Sequence, residues 1–334
     1  CCLMQEIKNG IDRTHHNFVK VKGDVAPLLM CPTEYNRLWT KLEGGYLATL
    51  GGKLHPDIGI LWTGDKVVAC IDKPTMQFVN PLLKRKAFIW WNFPVSDYVR
   101  DRLLLGAVYG NGTDIDDDIS AFISNPMEHA EASKIALFSI ADYAWNMDAY
   151  KSDASWRRAV RYLMPGHAAA LQVFASHNSD LGGNEHDFRR EESEQIRPAL
   201  ERLLDAYCRE GKREVAAASA VTEECERMIA SADLLLASDE NPALIKEISP
   251  WLIQFKLLGE YGREVLCMLA AQCDGKKTEL EKAASHAKAL QVLMKKIDAT
   301  YNQNGFQPGV KTGSCHLKPA FDRLYQEVVQ RTGK

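Results

Sequence analysis

No run of the 334-residue sequence is apolar for long enough to span a bilayer. The chain has no basic stripe, and its formal net charge is −3. A polyanionic partner is therefore not expected, and nucleic acid least of all. No CxxC pair occurs among the nine cysteines, which argues against a structural zinc site and against dithiol redox chemistry. Internal repeats and low-complexity linkers are also missing. The sequence opens on Cys1 with no charged and apolar leader. A mature lipoprotein also begins at cysteine, but the residues that follow do not resemble a tether, and a fragment boundary is the simpler expectation.

What is present is ordinary for a soluble globular chain: 46% apolar and 25% charged residues. The length suffices for one large core or two domains. The cysteine count is odd, and Cys31, Cys70, Cys225 and Cys267 sit in apolar surroundings. Mostly free, buried thiols are predicted, which suits a reducing compartment without excluding export.

Short apolar runs punctuate the first part of the chain. Residues 25–31 read VAPLLMC, 58–62 IGILW, 88–91 FIWW and 121–124 AFIS. Their ends recur at roughly the thirty-residue spacing of a βα unit. Short apolar runs separated by helices predict a parallel sheet covered on its faces. After about Tyr150 the strand signals stop. Ile196, Ala199, Leu200, Leu203, Leu204 and Tyr207 form one helical stripe, and Met228, Ile229, Ala232, Leu235 and Leu236 another. Ser249-Pro250 reads as an N-cap with proline at the first helical position. Leu252 to Leu266 continue that helix, and Leu280 to Ile297 form a further one. The expected organisation is a βα part over 1–150 and a helical bundle over 151–334, joined through a helix and polar loop at 152–190.

Each predicted strand ends in polar or aromatic residues. Cys31 to Tyr35 follow the first, Trp62 to Asp65 the second, Trp90 to Asp97 the third and Asn125 to His129 the fourth. In a βα barrel, active sites lie at the carboxyl ends of the strands. Side chains alternate along a strand, so Trp90 and Asn92 share the inward face while Trp91 points to the helices. Carboxylates and amides that bond hydroxyls, with rings that cover a C–H face, suit a sugar.

The strings CPTEYN (31–36), WTGD (62–65), WWNFPVSDYVRD (90–101), YGN (109–111) and NPMEHAE (125–131) carry a resemblance. It continues through SKIALFSIADYAWN (133–146), HNSDLG (177–182), RREES (189–193), PWLIQFKL (250–257) and YNQNGFQPGVKTG (301–313). The chain resembles glycoside hydrolase family 84, the bacterial β-N-acetylglucosaminidases related to O-GlcNAcase, over nearly its whole length. The resemblance implies an α/β fold: the C-terminal half of a (β/α)8 TIM-type barrel, then an α-helical bundle domain. It implies a retaining, substrate-assisted hydrolase of terminal β-linked N-acetylglucosamine, outside the usual two-carboxylate scheme. No metal or organic cofactor is implied. The partner implied is a glycan or glycoprotein bearing N-acetylglucosamine, and the destination a bacterial periplasm or the exterior.

Carried over by motif, Asp97 matches the carboxylate that holds the outer hydroxyls of the sugar. Asn92 and Asn125 match amide ligands around the sugar and its N-acetyl group. Trp90, Tyr35, Thr63 and Cys31 match pocket walls. The family's catalytic Asp-Asp pair ends the strand before the one that carries CPTEY. Cys1 to Lys22 read as the intervening helix, so the pair is expected upstream of Cys1, and no residue of this chain is assigned as acid or base. Asp116 to Ser120 contain DDIS, which imitates the catalytic string but falls where the family has a surface segment. It reads as a solvated acidic run. His177, Asp180, His186 and Asp187 have no recognised metal spacing, and a structural hydrogen-bonding role is expected of them. Two other readings stand beside the enzyme: a non-catalytic carbohydrate-binding fragment, and a helical interaction fragment.

Overall fold

The computed structural model describes residues 28–41, 45–179 and 192–332, together with Asn9, Gly10 and Arg13. Four strands lie side by side in chain order: β1 (Leu29–Met30), β2 (Gly59–Trp62), β3 (Ala87–Trp91) and β4 (Ile119–Ser124). Every neighbouring pair is parallel. The strands end within one residue of the positions that the apolar runs predict. Strand β4 begins earlier than expected, taking in Ile119 and Ser120. Residues 25–27 of the first predicted strand lie outside the described residues, as does most of the helix expected over Cys1–Lys22.

Helices α1 (Tyr46–Lys53), α2 (Lys73–Leu83) and α3 (Ala130–Trp145) follow β1, β2 and β4. Strand alternation sorts the two faces. Ile60, Trp62, Ala87, Ile89 and Trp91 are fully buried on the helix side. Leu61, Phe88 and Trp90 on the other face are only half-buried, and Ile123 is exposed. Trp91 reaches the helices as predicted: it packs on Phe122, which packs edge-on against Tyr143 of α3. An open parallel sheet with helices on one side and a half-exposed apolar face on the other is what half of a barrel contributes.

Arg85 fixes the entry to this sheet. Its guanidinium donates to six main-chain carbonyls: those of Gly51, Leu54, His55, Pro56, Ile58 and Leu83. Two of these belong to the last turn of α1 and one to that of α2, whose final carbonyls have no partner within the helix. Burial lowers the pKa of Arg85 from its ordinary value, yet a guanidinium remains charged in proteins. Helix α1 also sits close on α2, because a Cβ at Gly51 would fall 2.3 Å from the Leu82 carbonyl oxygen.

Beyond Trp145 the described residues form helices and no strand: α4 (Ser152–Leu163), α5 (Ala168–Ser176), α6 (Arg197–Glu210), α7 (Val215–Leu236), α8 (Pro242–Cys273), α9 (Lys277–Asp298) and α10 (Leu317–Thr332). Helix α8 is the axis, packing on α7, α9 and α10 and reaching α3. Gly262 lets α10 approach: a Cβ there would lie 2.5 Å from the Phe321 ring.

The reading of Ser249-Pro250 as a helix start is corrected. Helix α8 runs through Pro250, and the cap is an earlier Asn-Pro pair. Asn241 accepts from the Leu244 amide through its side chain, and Pro242 is the first helical residue. Proline at 250 cannot donate to the Lys246 carbonyl. The Ser249 hydroxyl donates to that carbonyl instead, at 3.2 Å. Burial of Trp251, Leu252 and Phe255 outweighs what remains of the proline cost.

The cysteine expectation holds for the thiols, since no cysteine among the described residues forms a disulfide, and is corrected for their burial. Of the seven cysteines among the described residues only Cys225 is buried, while Cys31, Cys267 and Cys273 are exposed. The two helix cysteines 267 and 273 interrupt apolar stripes rather than belong to them, so their apolar neighbours in sequence point elsewhere.

His177 carries the structural role expected of it. Its ring is fully buried, with Nδ1 2.8 Å from Ser193 Oγ and Nε2 2.7 Å from Glu224 Oε1. Asp180, His186 and Asp187 lie outside the described residues. Burial raises the Glu224 carboxyl, but bonding to His177 and Arg227 outweighs it and holds the group below the ordinary carboxylate value.

Arg85→Lys is expected to cost about 3 kcal/mol in urea unfolding, because a single ammonium cannot reproduce a planar fork of donors. Glu224→Ala is expected to destabilise by about 3 kcal/mol at pH 7, since it strands a buried partner. A depressed carboxylate stabilises above its unfolded value and loses that contribution as pH falls through the folded value. The gap between native and variant should therefore narrow below the ordinary carboxylate value of 4.5. A gap independent of pH from 7 to 3 would remove Glu224 from the account.

Candidate functional site

The carboxyl ends of the strands bring most of the predicted residues together. After β1 the chain turns through Asn36, which is fully buried and accepts from the Trp39 amide at 3.0 Å. That turn (Arg37–Trp39) is pinned to the end of β2, with the Arg37 amide donating to the Gly64 carbonyl and the Leu38 amide to that of Asp65. The Tyr35 ring then lies 5.8 Å from the Trp90 ring and 4.9 Å from that of Trp39. Partial burial, with Cys31 alongside, pushes the Tyr35 phenol above its ordinary value. Trp39 was not singled out from the sequence. Its signal is the i, i+4 relation to Tyr35 across a short turn.

Thr63 is fully buried and points its chemistry inward. Its amide donates to the Tyr35 carbonyl at 2.8 Å and its hydroxyl to the Lys66 carbonyl at 2.9 Å. It acts on the site through Tyr35, by fixing where that residue stands. Asp65 is likewise committed, accepting from the Thr75 hydroxyl at 2.5 Å and lying 3.6 Å from Arg37.

Asn92 and Asn125 form a joined amide pair. Asn125 Nδ2 donates to Asn92 Oδ1 at 3.1 Å, and Asn92 Nδ2 donates to the Val67 carbonyl at 2.6 Å. The Asn125 amide also caps β3 through the Trp91 carbonyl. The Val67 contact fixes the Asn92 rotamer, because a carbonyl can only accept. Each amide still has hydrogen-bonding capacity for a ligand: the second N–H of Asn92 and the Oδ1 of Asn125. An amide that donates and one that accepts, at strand ends that also carry a ring pair, match the faces of a sugar.

Asp97 stands apart from these contacts, five residues past Asn92 and exposed to solvent. The segment that carries it is held from both sides. Ser124 donates to the Phe93 carbonyl at 2.7 Å, and the Asp97 carbonyl accepts from Arg100 Nε at 3.2 Å. The helical bundle grips the far end. The Arg100 amide donates to Gln307, and the Arg100 carbonyl accepts from Asn302. The buried Asp101 accepts from the Lys311 ammonium at 2.5 Å through its carboxylate. Its carbonyl accepts from the Trp251 indole and the Lys311 amide. Cys31 is exposed at the end of β1, its thiol 3.7 Å from the Pro32 carbonyl.

The acidic run lies at the other end of the sheet. Asp116–Asp118 form a single turn just before β4, and Asn125 just follows it. Six extended residues separate the two by about 20 Å. Asp118 is tied to α2 instead, through an ion pair with Lys73 at 2.6 Å and its carbonyl accepting from Asn80. The DDIS string therefore stays out of the strand-end site, as its position in the sequence predicts.

The chain matches a beta-N-acetylglucosaminidase family model over residues 4–176 and the post-catalytic domain of bacterial GH84 over 192–325. The protein O-GlcNAcases of Rattus norvegicus and Mus musculus are each 35% identical over 136 residues, which is 39% of this chain and 15% of theirs. Among solved structures, CpGH84D is 27% identical with a TM-score of 0.83, covering 98% of this chain and 54% of its own. CpGH84B, at 24% identity and TM-score 0.84, covers 95% and 54%. The Thermobaculum terrenum O-GlcNAc hydrolase, at 23% and 0.75, covers 97% and 67%. These last two speak to the fold alone. The chain thus spans about half the length of the first two structures and a smaller part of the mammalian relatives. With its sheet matched to the one domain and its bundle to the other, the chain belongs to glycoside hydrolase family 84, the β-N-acetylglucosaminidases.

Proposed function

We propose that this chain supplies the sugar-holding side of a β-N-acetylglucosaminidase site, and that the carboxylate pair which completes the site lies upstream of Cys1. The observation that carries the reading is the Asn92–Asn125 amide pair, set with the Tyr35–Trp90 ring pair at the carboxyl ends of parallel strands. The substrate class is terminal β-linked N-acetylglucosamine on glycans or glycoproteins. The rings cover its apolar face, the amides bond its ring substituents and N-acetyl group, and Asp97 holds the outer hydroxyls. Thr63 positions Tyr35, and Cys31 contributes wall.

The reaction in this reading is retaining and substrate-assisted. The substrate's own acetamido oxygen attacks the anomeric carbon, the glycosidic bond breaks, and the leaving oxygen takes a proton from a carboxylic acid. A second carboxylate orients and polarises the acetamido N–H. Asp97, Asn92 and Asn125 bind and orient but do neither of these things. Asp116–Asp118 stand before the amino end of β4, opposite the strand-end site, and do not substitute.

An aryl β-N-acetylglucosaminide with a fluorescent leaving group tests the reading. The 334-residue chain alone is expected to give no hydrolysis above background, and a longer form carrying the upstream strands to give it. General acid–base help alone contributes about a hundred- to ten-thousand-fold. Robust turnover by the 334 residues alone would place the acid within them. In the active longer form, Asp97→Ala is expected to lower kcat/KM by about a hundredfold or more. Two hydroxyls then lose a charged acceptor, each such bond being worth about 1.5–3 kcal/mol. An unimpaired Asp97→Ala enzyme would overturn the assignment of the sugar site.

A further inference from the structure

The helical bundle contains a cavity of about 630 Å³ between α8, α9, α10 and the segment that joins the last two. That volume lies within the range of about 300–1,000 Å³ usual for small-molecule sites. Three polar atoms on its lining residues are buried and have no hydrogen-bond partner among the described residues: Gln254 Oε1, Thr312 Oγ1 and Arg102 Nε. Gln254 is 6% exposed and Thr312 4%. Native interiors satisfy such groups, so buried atoms of this kind on residues that line one cavity mark a place where something polar belongs.

Their chemistry narrows what that is. Gln254 Nε2 donates to the Met294 carbonyl at 3.3 Å. A carbonyl can only accept, so the amide cannot be reversed and its oxygen is the atom left over. The residues that line the cavity therefore carry one unpartnered acceptor, one hydroxyl that works either way, and one guanidinium donor. Arg102 Nε is 3.8 Å from Asp101 Oδ1, too far for a hydrogen bond. The lining carries Arg102, Lys295, Lys311 and Lys318 against Asp298 and Asp322. Lys318 is paired with Asp322 and Lys311 with Asp101, while Asp298 accepts from the Val310 amide. The carboxylates are thus committed within the protein, and the balance left for a ligand is positive.

We infer that this cavity binds a small hydroxylated anion, of the chemistry shared by sugar acids and sugar phosphates. A ligand hydroxyl donates to Gln254 Oε1, Thr312 Oγ1 bonds a second oxygen, and the anionic group meets Arg102 and Lys295. The inference does not rest on the proposed hydrolase. Its residues are none of those assigned to the strand-end site, although Arg102 continues the segment that carries Asp97.

Isothermal titration of the 334-residue chain with gluconate, glucose 6-phosphate, inorganic phosphate and glucose tests it. Gluconate or glucose 6-phosphate is expected to bind, and which of the two binds more tightly identifies the anionic group. Glucose and inorganic phosphate should each bind about tenfold more weakly than the better of them, one lacking the charge and the other the hydroxyls. Lys295→Gln and Thr312→Val should each weaken that binding about fivefold or more with the thermal midpoint unchanged. Asn92→Ala should leave it as it was. Lys295 is exposed, so its replacement tests the charge without threatening the fold. The inference is overturned if neither hydroxylated anion binds the folded chain at about millimolar concentration. It is overturned equally if inorganic phosphate or glucose binds as tightly, if the two cavity variants bind like the native chain, or if Asn92→Ala abolishes the binding.

Discussion

A carboxylate with 8% of its side chain exposed, Asp101, ties the two halves of this molecule together. Stranding such a charge without a partner would cost several kcal/mol, and its partner is the Lys311 ammonium from the segment between α9 and α10. The same residue's carbonyl takes two further donors from the bundle, the Trp251 indole and the Lys311 amide. The loop that leaves β3 therefore cannot reach its observed course without the helices. Its main-chain groups at residue 100 are also satisfied from the bundle, by Gln307 and Asn302. A loop that carries a candidate ligand-binding carboxylate is usually mobile in proportion to its unsatisfied backbone. This one is held near its start by Ser124 and at its far end by partners some two hundred residues away in sequence.

The bundle thus acts as a frame for the strand-end site as well as a domain of its own. Helix α8 provides Trp251 to Asp101, and the same indole packs edge-on with His129, just after Asn125. Glu247, from the same helix, accepts from the Ala132 amide in the first turn of α3. One long helix therefore touches the segments that follow both β3 and β4. That gives a physical reason for its length, and for its running through Pro250 rather than starting there.

Much of this was legible in the sequence. The four apolar runs gave the strand ends to within a residue, because short buried strands leave a compact signal and polar residues crowd their carboxyl ends. The helical stripes survived for the same reason: Ala199, Leu200, Leu203 and Tyr207 are all buried. What failed was local reasoning overridden from a distance. Ser249-Pro250 has the form of a cap, and only the packing of α8 shows that the serine repairs the carbonyl the proline abandons. Exposed Cys267 looked buried because its neighbours in sequence are. In the site, residue types pointed to Asn92 and Asn125 separately. That they bond each other, and that Thr63 is spent on the Lys66 carbonyl, depends on strand register and turn geometry, which composition does not encode.

Arg85 sits in a Lys-Arg-Lys stretch that reads as a solvated surface, yet among the described residues it bonds only main-chain oxygens of the 51–58 segment and of Leu83. Main-chain oxygens are the same whatever side chain they belong to. The segment it holds is therefore free to change its side chains, apart from Gly51, without losing any of these bonds. The hydrogen bonds that hold this entry to the sheet therefore depend on the identity of one side chain, while Gly51 and the buried Leu54 and Ile58 are held to their own identities by packing.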